Sequence, residues 1–376
     1  MSASSVHTNW GKLGDYIELC DERNSEGRYT LDDVRGISIQ KKLIDTKADM
    51  QGVSLTPYKL LKPREFSYVT VTSRNGGKIS LAINDTSDTY IVSSSYENFR
   101  CRNTKELLPE YLFLLLSRSE FDRYSRFNSW GSARETFDWS EFCRTEIPLP
   151  SIEVQQELVD TYNGLKSLAE QNEALIEPLS KACEAFIVDC KTKYPEVELG
   201  GYIEEFDRRN SDNAIKLVKS VSVTKEFKET NAKVNKDELS GYKLVPPYHI
   251  AYVQTTKNEK CFANALNTST ETYVVSQVDR VIYSNNPGKL DIHFLHLIFR
   301  SKEFDRYAIF NSWGSARETF DWGELCRTRI PLPPIEVQRS IVNVYKCLEE
   351  AKKIASEARE KLKTLCPALV QRAANS

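Results

Sequence analysis

The spacing of apolar and polar positions divides the chain into two kinds of segment. Short runs of aromatic and β-branched residues occupy 66–71, 78–83 and 89–92, and they recur at 250–253 and 272–275. Bounded by Gly, Asn and Asp, such runs predict strands, because these side chains pack well on a pleated surface. Residues 109–117 and 291–300 predict short apolar helices. Elsewhere the period lengthens. Leu158, Tyr162, Leu165, Ala169, Asn172, Ile176, Leu179, Cys183 and Phe186 fall at alternating spacings of four and three, as do Val344, Leu348, Ala351, Ala355, Ala358, Leu362, Leu365 and Leu369. These heptad seams predict two long helices, over about 152–190 and 335–374, each about 50 Å long at 1.5 Å per residue. The alanines permit close approach of two backbones, Asn172 is a polar residue able to set register, and Pro178 is a candidate kink.

The second pattern is repetition. FDRYSRFNSWGSARETFDW at 121–139 returns as FDRYAIFNSWGSARETFDW at 304–322, and over 121–155 and 304–338 the copies agree at 29 of 35 positions at a constant offset of 183. Residues 10–18 have a counterpart at 196–204. Two copies of one unit predict an internal pseudo-twofold and a partner or ligand with two similar halves. The expected fold class is α+β. Two similar mixed α/β domains, 1–151 and 194–334, are joined by two long antiparallel helices, 152–193 and 335–376, that form a coiled coil. Ile147-Pro148-Leu149-Pro150 and Ile330-Pro331-Leu332-Pro333 are read as stiff junctions between domain and helix.

Composition changes this picture little. The 376 residues carry 51 basic and 53 acidic side chains, a formal charge of −2. That argues against a protein that coats nucleic acid by charge alone, and leaves room for a local basic face. No stretch is long enough to cross a bilayer and no basic segment with an apolar run opens the chain, so a soluble cytoplasmic protein is expected. Nine cysteines show no paired spacing, and Cys143 and Cys326, equivalent in the two copies, are read as buried thiols.

Catalytic chemistry is thin. Of four histidines, His293 and His296 form an HxxH without further ligands, which predicts a structural role and no metal site. Neither a GxxxxGK[ST] loop nor a GxGxxG is present. Asn75-Gly76-Gly77 reads as a tight turn. Val245-Pro246-Pro247-Tyr248 superficially resembles the Asp/Asn-Pro-Pro-Tyr loop of amino-methyltransferases, but has Val where that loop needs a polar residue, and Leu61-Lys62-Pro63-Arg64 stands at the same place in the first copy. A structural role is therefore expected at both, and no catalytic residue is predicted.

The copies diverge before the repeated block: 70–88 read TVTSRNGGKISLAINDTSD and 254–271 read QTTKNEKCFANALNTSTE. Similar scaffolds with different loops suit two DNA half-sites of different base sequence. Arg74 and Asn75, with Lys257 and Asn258, are candidate base readers, since Arg pairs with guanine and Asn with adenine. Lys41, Lys42, Lys47 and Lys78, with Lys225, Lys228, Lys236 and Lys260, are candidate phosphate anchors. The repeated Trp130, Gly131, Ser132 and Arg134, with Trp313, Gly314, Ser315 and Arg317, point instead to a shared scaffold, a shared partner surface or a common backbone contact.

Taken in order, these elements resemble the specificity subunit of type I restriction–modification systems. The resemblance rests on Trp10 with Leu13-Gly14-Asp15, on Gly131-Ser132 to Phe137, on Ile147–Pro150 and on Ile152-Glu153-Val154-Gln155. These return as Leu199-Gly200, Gly314-Ser315 to Phe320, Ile330–Pro333 and Ile335–Gln338. Gly201 stands where the first copy has Asp15. The glycine–aspartate often found at the start of the family's central strand is Arg64-Glu65 here, and Tyr248-His249 in the second copy. The resemblance implies a non-catalytic subunit whose two target-recognition domains read a bipartite, asymmetric site on double-stranded DNA, with the helices setting the gap. It also implies two modification subunits that methylate adenine N6 with S-adenosylmethionine. Two restriction subunits, dependent on ATP and Mg2+, join where the assembly also cleaves. The competing expectation is a protein-assembly scaffold of the same ancestry without sequence-specific DNA binding.

Overall fold

The computed structural model describes residues 9–72, 77–132, 134–230, 234–235, 237–255, 261–314 and 318–375, with side chains in the last helix described as far as Thr364. The chain forms two compact units, one of residues 1–171 with 354–376, the other of residues 172–353. Both are α+β, so the predicted class holds at the level of each unit.

In the first unit the strands are β1 (Asn9–Lys12), β2 (Ile17–Cys20), β3 (Arg35–Ile37), β4 (Leu43–Asp45), β5 (Lys59–Leu61), β6 (Phe66–Val69), β7 (Leu81–Ile83), β8 (Tyr90–Val92) and β9 (Tyr96–Cys101). Helices α1 (Pro109–Leu116), α2 (Ser119–Phe127) and α3 (Trp139–Arg144), strand β10 (Glu146–Leu149) and the long α4 (Ile152–Lys193), whose residues from 172 on belong to the second unit, follow. An antiparallel sheet in the order β2-β9-β6-β7 carries the core, and the pairs β1–β10, β3–β4 and β5–β8 surround it. Phe66 and Phe99 face each other across β6 and β9 and stack at 4.7 Å. Against them pack Tyr68, Leu112, Leu115, Phe121, Phe137, Phe142 and Val159, so α1, α2, α3 and the start of α4 close one side of the sheet.

The second unit repeats this element by element. Its strands are β11 (Glu196–Glu198), β12 (Ile203–Glu205), β13 (Lys219–Val221), β14 (Phe227–Glu229), β15 (Lys243–Val245), β16 (Ile250–Tyr252), β17 (Asn264–Leu266), β18 (Tyr273–Val275) and β19 (Arg280–Ser284). Then come α5 (Ile292–Arg300), α6 (Lys302–Phe310), α7 (Trp322–Arg327), β20 (Arg329–Pro331) and α8 (Ile335–Asn375). The sheet order is β12-β19-β16-β17, with Ile250 and Ile282 where the first unit stacks two phenylalanines.

Repeated residues hold repeated joints. Asp138 caps α3 by accepting from the Glu141 amide at 2.9 Å, and Asp321 caps α7 from Glu324 at 2.8 Å. A Cβ on Gly14 would lie 2.7 Å from that of Cys143, and one on Gly200 2.9 Å from that of Cys326, which explains the glycine after Leu13 and Leu199. Both cysteines are half-buried rather than buried, and desolvation raises their thiol pKa. Ile147–Pro150 is more than a junction: β10 pairs Pro148 with Trp10, a place in a two-stranded ribbon that tolerates a residue without an amide hydrogen. Arg64 and Tyr248 both take positive φ, 64° and 60°, and donate their amides to the carbonyls of Asn84 and Asn267, so this turn is structural in both copies.

α4 is one helix of 42 residues that continues through Pro178, and α8 has 41. On α8 Leu348, Ala351, Ala355 and Ala358 are buried while Val344 and Leu362 are half-buried, as the heptad reading requires; the side chains of Leu365 and Leu369 lie outside the described residues. On α4 Ala169 and Cys183 are buried, and Leu158, Tyr162, Leu165, Asn172, Ile176 and Leu179 are half-buried. Phe186 departs from the predicted seam. It is 42% exposed, and the buried line continues instead through Ile187 to Cys190, which join the second unit's core. Within that unit Cys183 lies near Glu349 and Lys352, while Phe186, Cys190 and Tyr194 face Val337, Ile341 and Val344. Numbers rise along one segment as they fall along the other, so these parts of α4 and α8 run antiparallel.

Candidate nucleic-acid interface

In each unit a clasp ties a hairpin tip to the divergent segment of that unit. In the first unit, hairpin β3–β4 presents Lys41 at its tip with φ of 60°. The Lys41 Nζ donates to Asp122 Oδ1 at 2.6 Å and to the Ile79 carbonyl at 2.9 Å, while Asp122 also accepts the Ile79 amide at 3.1 Å. In the second unit Lys225, at φ of 63° on hairpin β13–β14, donates to Asp305 Oδ1 and to the Phe299 carbonyl, both at 2.7 Å, and Asp305 accepts the Phe262 amide at 2.8 Å. Desolvation lowers the pKa of both amines, opposed by their aspartates.

Lys41 and Lys225 are therefore not phosphate anchors. Their side chains are almost wholly enclosed, and two of the three donors of each ammonium go to a carboxylate and a carbonyl. The sequence reading missed Asp122 and Asp305. Their signal was present, since both stand in the repeated Phe-Asp-Arg-Tyr, where an acid at a buried helix position implies a partner.

The remaining candidates divide in two. Lys42, Lys47, Lys78 and Lys228 are exposed, and the clasp brings the hairpin tip close enough to Lys78 for that charge to lower the Lys41 pKa. Arg74, Asn75, Lys236, Lys257, Asn258, Lys260, Ser315 and Arg317 lie outside the described residues.

The repeated block is fastened beside the divergent chain. Trp130 and Thr136 exchange both backbone hydrogen bonds, 3.1 and 3.0 Å, and close a short loop. Gly131 at its start has φ of 142°, and a Cβ there would collide with the Arg134 carbonyl; Gly314 has φ of 135°. The Thr72 amide donates to the Glu135 carbonyl at 2.9 Å and the Phe137 amide to that of Thr70 at 2.8 Å, which fixes the loop to the first residues of the divergent segment. Glu135 also pairs with Arg126. In the second unit Trp313 and Thr319 make the same exchange, and the Phe320 amide donates to the Gln254 carbonyl at 2.8 Å. Ser132 and Arg134 are exposed at the loop tip.

Among the described residues no group of His, Cys, Asp and Glu is placed to hold a metal ion, and no helix is long and apolar enough to cross a membrane. His293 bonds its neighbour Asp291, and His296 is buried in α5, where desolvation pushes its pKa down to about 3.

Comparison with known proteins adds a match to one family model and a set of similar folds. Residues 38–178 match the family model described as Type I restriction modification DNA specificity domain. Among solved structures, the fold is similar to the S subunit of a type I restriction–modification system from M. genitalium, with a TM-score of 0.58 and 11% identity over 99% of this chain and 97% of that one. Two further structures align over almost the whole chain at 16% identity. They are the HsdS subunit from Thermoanaerobacter tengcongensis, TM-score 0.41 with 97% of that chain covered, and a chain from a study of complex assembly in the type I R-M system, TM-score 0.37 with 100% covered. No curated protein matches the sequence. The match to the type I DNA specificity domain thus lies at residues 38–178, and the second unit repeats the elements and the clasp found there.

Proposed function

We propose that this chain is the sequence-specific DNA-recognition subunit of a type I restriction–modification complex, each unit reading one half of a bipartite, asymmetric site. Its role is to position adenine-N6 methyltransferase subunits, which use S-adenosylmethionine, and restriction subunits, which use ATP and Mg2+. One observation carries the reading. The two units share sheet order, clasps and loop closures, while the segments tied to those loops differ in sequence. A constant frame with changed readers suits two half-sites of different base sequence. The exposed Lys42, Lys47, Lys78 and Lys228 serve as phosphate contacts, and the divergent segments supply the base contacts.

The test is selection of bound sequences from random duplex DNA by the chain co-purified with its modification partner, against nonspecific competitor. One split motif, with two half-sites and a fixed gap, is the expected result. A folded, assembled complex that enriches no motif would put the assembly-scaffold reading in its place.

A further inference from the structure

Among the described residues, the most exposed large apolar side chains of each unit stand in the repeated block. Phe127 is 78% and Trp130 65% exposed, and their counterparts Phe310 and Trp313 are 82% and 67% exposed. Large aromatic side chains left in water are informative when they are fixed and repeated. These are fixed. The Asn128 Nδ2 donates to the Tyr124 carbonyl at 3.0 Å and the Ser129 Oγ to that of Ser125 at 2.6 Å, so the chain leaves α2 along one course. Asn311 and Ser312 repeat both bonds, to Tyr307 at 2.9 Å and Ala308 at 2.6 Å. The Trp–Thr exchange and the glycine after each tryptophan then set the tryptophan's place. The Asn-Ser-Trp-Gly sequence is thus a mount for two outward-facing aromatic residues.

We propose that Phe127 with Trp130, and Phe310 with Trp313, form the part of each DNA contact that does not depend on base sequence, laid against the sugars and phosphates of the duplex. The inference rests on the DNA-recognition reading above and assigns a role that reading leaves open. Half-sites of different sequence share one thing, the sugar–phosphate backbone, and the exposed ridge of one Phe and one Trp is what the two units have in common. Its neighbours are what differ: backbone hydrogen bonds tie each loop to the first residues of the divergent segment. A protein partner present in identical copies would call for a constant surround rather than a variable one. Exposed Arg134 and Ser132 add a guanidinium and a hydroxyl to the first ridge, donors that suit phosphate oxygens. A contact between an aromatic face and a backbone sugar carries no base-sequence information.

The experiment uses the complex with its modification partner, as wild type and with Phe127→Ala/Trp130→Ala, Phe310→Ala/Trp313→Ala, or the conservative Trp130→Phe. Three quantities are read for each: Kd for the selected duplex, Kd for an unrelated duplex, and the amount of modification partner retained. The expected result is roughly tenfold weaker binding to both duplexes for either double variant, with the selected motif and the partner retained, and near wild-type binding for Trp130→Phe. Unchanged Kd values would overturn the proposal. So would a changed motif, which would make the ridge a base reader, or loss of the modification partner, which would make it a protein-docking surface. A wild-type complex that selects no motif sinks the DNA-recognition reading itself, and is told apart because it appears without any substitution.

Discussion

Gln155 and Gln338, the last residues of the repeated Ile-Glu-Val-Gln, are completely buried, and each serves three main-chain groups. The Gln155 Nε2 donates to the Glu106 and Pro150 carbonyls at 2.8 and 3.0 Å, and its Oε1 accepts the Leu108 amide at 3.0 Å. Gln338 does the same with Lys289, Pro333 and Asp291. One side chain thus binds the start of a long helix to the proline strand before it and to the entry of α1 or α5. Gln155→Ala would strand three polar groups, each costing about 1–3 kcal/mol if left dry, so a loss of about 2–4 kcal/mol after partial rehydration is expected in denaturant unfolding. His296 offers the opposite case. Its Nε2 has no hydrogen-bond partner among the described residues, and the first copy has Phe113 at the same position. Desolvation, with Arg300 and His293 nearby, holds its pKa down to about 3, well below the unfolded value. Between about pH 6.5 and 3 the unfolded chain binds a proton that the folded chain refuses, so stability falls as pH drops through that window. His296→Phe should remove this term. Unfolding free energies at pH 7 and pH 5 should fall by about 2 kcal/mol more in wild type than in the variant, and equal slopes would refute the assignment.

At the scale of elements, the long helices are parts of the cores and not mere connections. Leu158 and Val159 near the start of α4 pack into the first core, while Ile187 and Cys190 near its end join Val337, Ile341 and Val342 of α8 in the second. A change of helix length must therefore spare these ends and fall where the seam is regular. Insertion of one heptad in each helix, after Leu168 in α4 and after Ala358 in α8, keeps the period of the buried stripe. On the proposed function, the gap between half-sites should lengthen while both half-sequences stay the same. Sequence selection with the lengthened chain checks this, and an unchanged gap in a folded variant would rule the helices out as the ruler.

For the whole molecule, the decisive property is that each unit has its own core. The main cluster around Phe66, Phe99 and Phe142 draws only on the first unit, and that around Phe262, Phe299 and Phe320 only on the second. Separate cores make the units separable in effect, since substitutions with no shared partners act nearly additively. On the proposed function, exchange of residues 20–120 for the matching part of a type I specificity subunit should change one half-site and leave the other as it was. Loss of both preferences in a folded, assembled chimera would contradict that modularity.

Much of this was legible in the residues. The fold class, the repeated units and the long helices followed from period and repetition, because apolar spacing of two or of alternating three and four reflects a local geometry that every residue in the element shares. The positive-φ turn at Arg64 and Tyr248 was legible as structural because both copies reach it by different residues. What tertiary structure alone decided was the use of individual polar side chains. Lys41 and Lys42 are neighbours with the same charge, yet one is enclosed by an aspartate 81 positions away and the other is left in water. No local pattern separates them, since a buried ion pair is made by residues that only folding brings together. The same holds for Phe127. As an apolar residue in an amphipathic helix it reads as core, and only the packing of α2, which buries Phe121, Asp122 and Ser125, turns it outward.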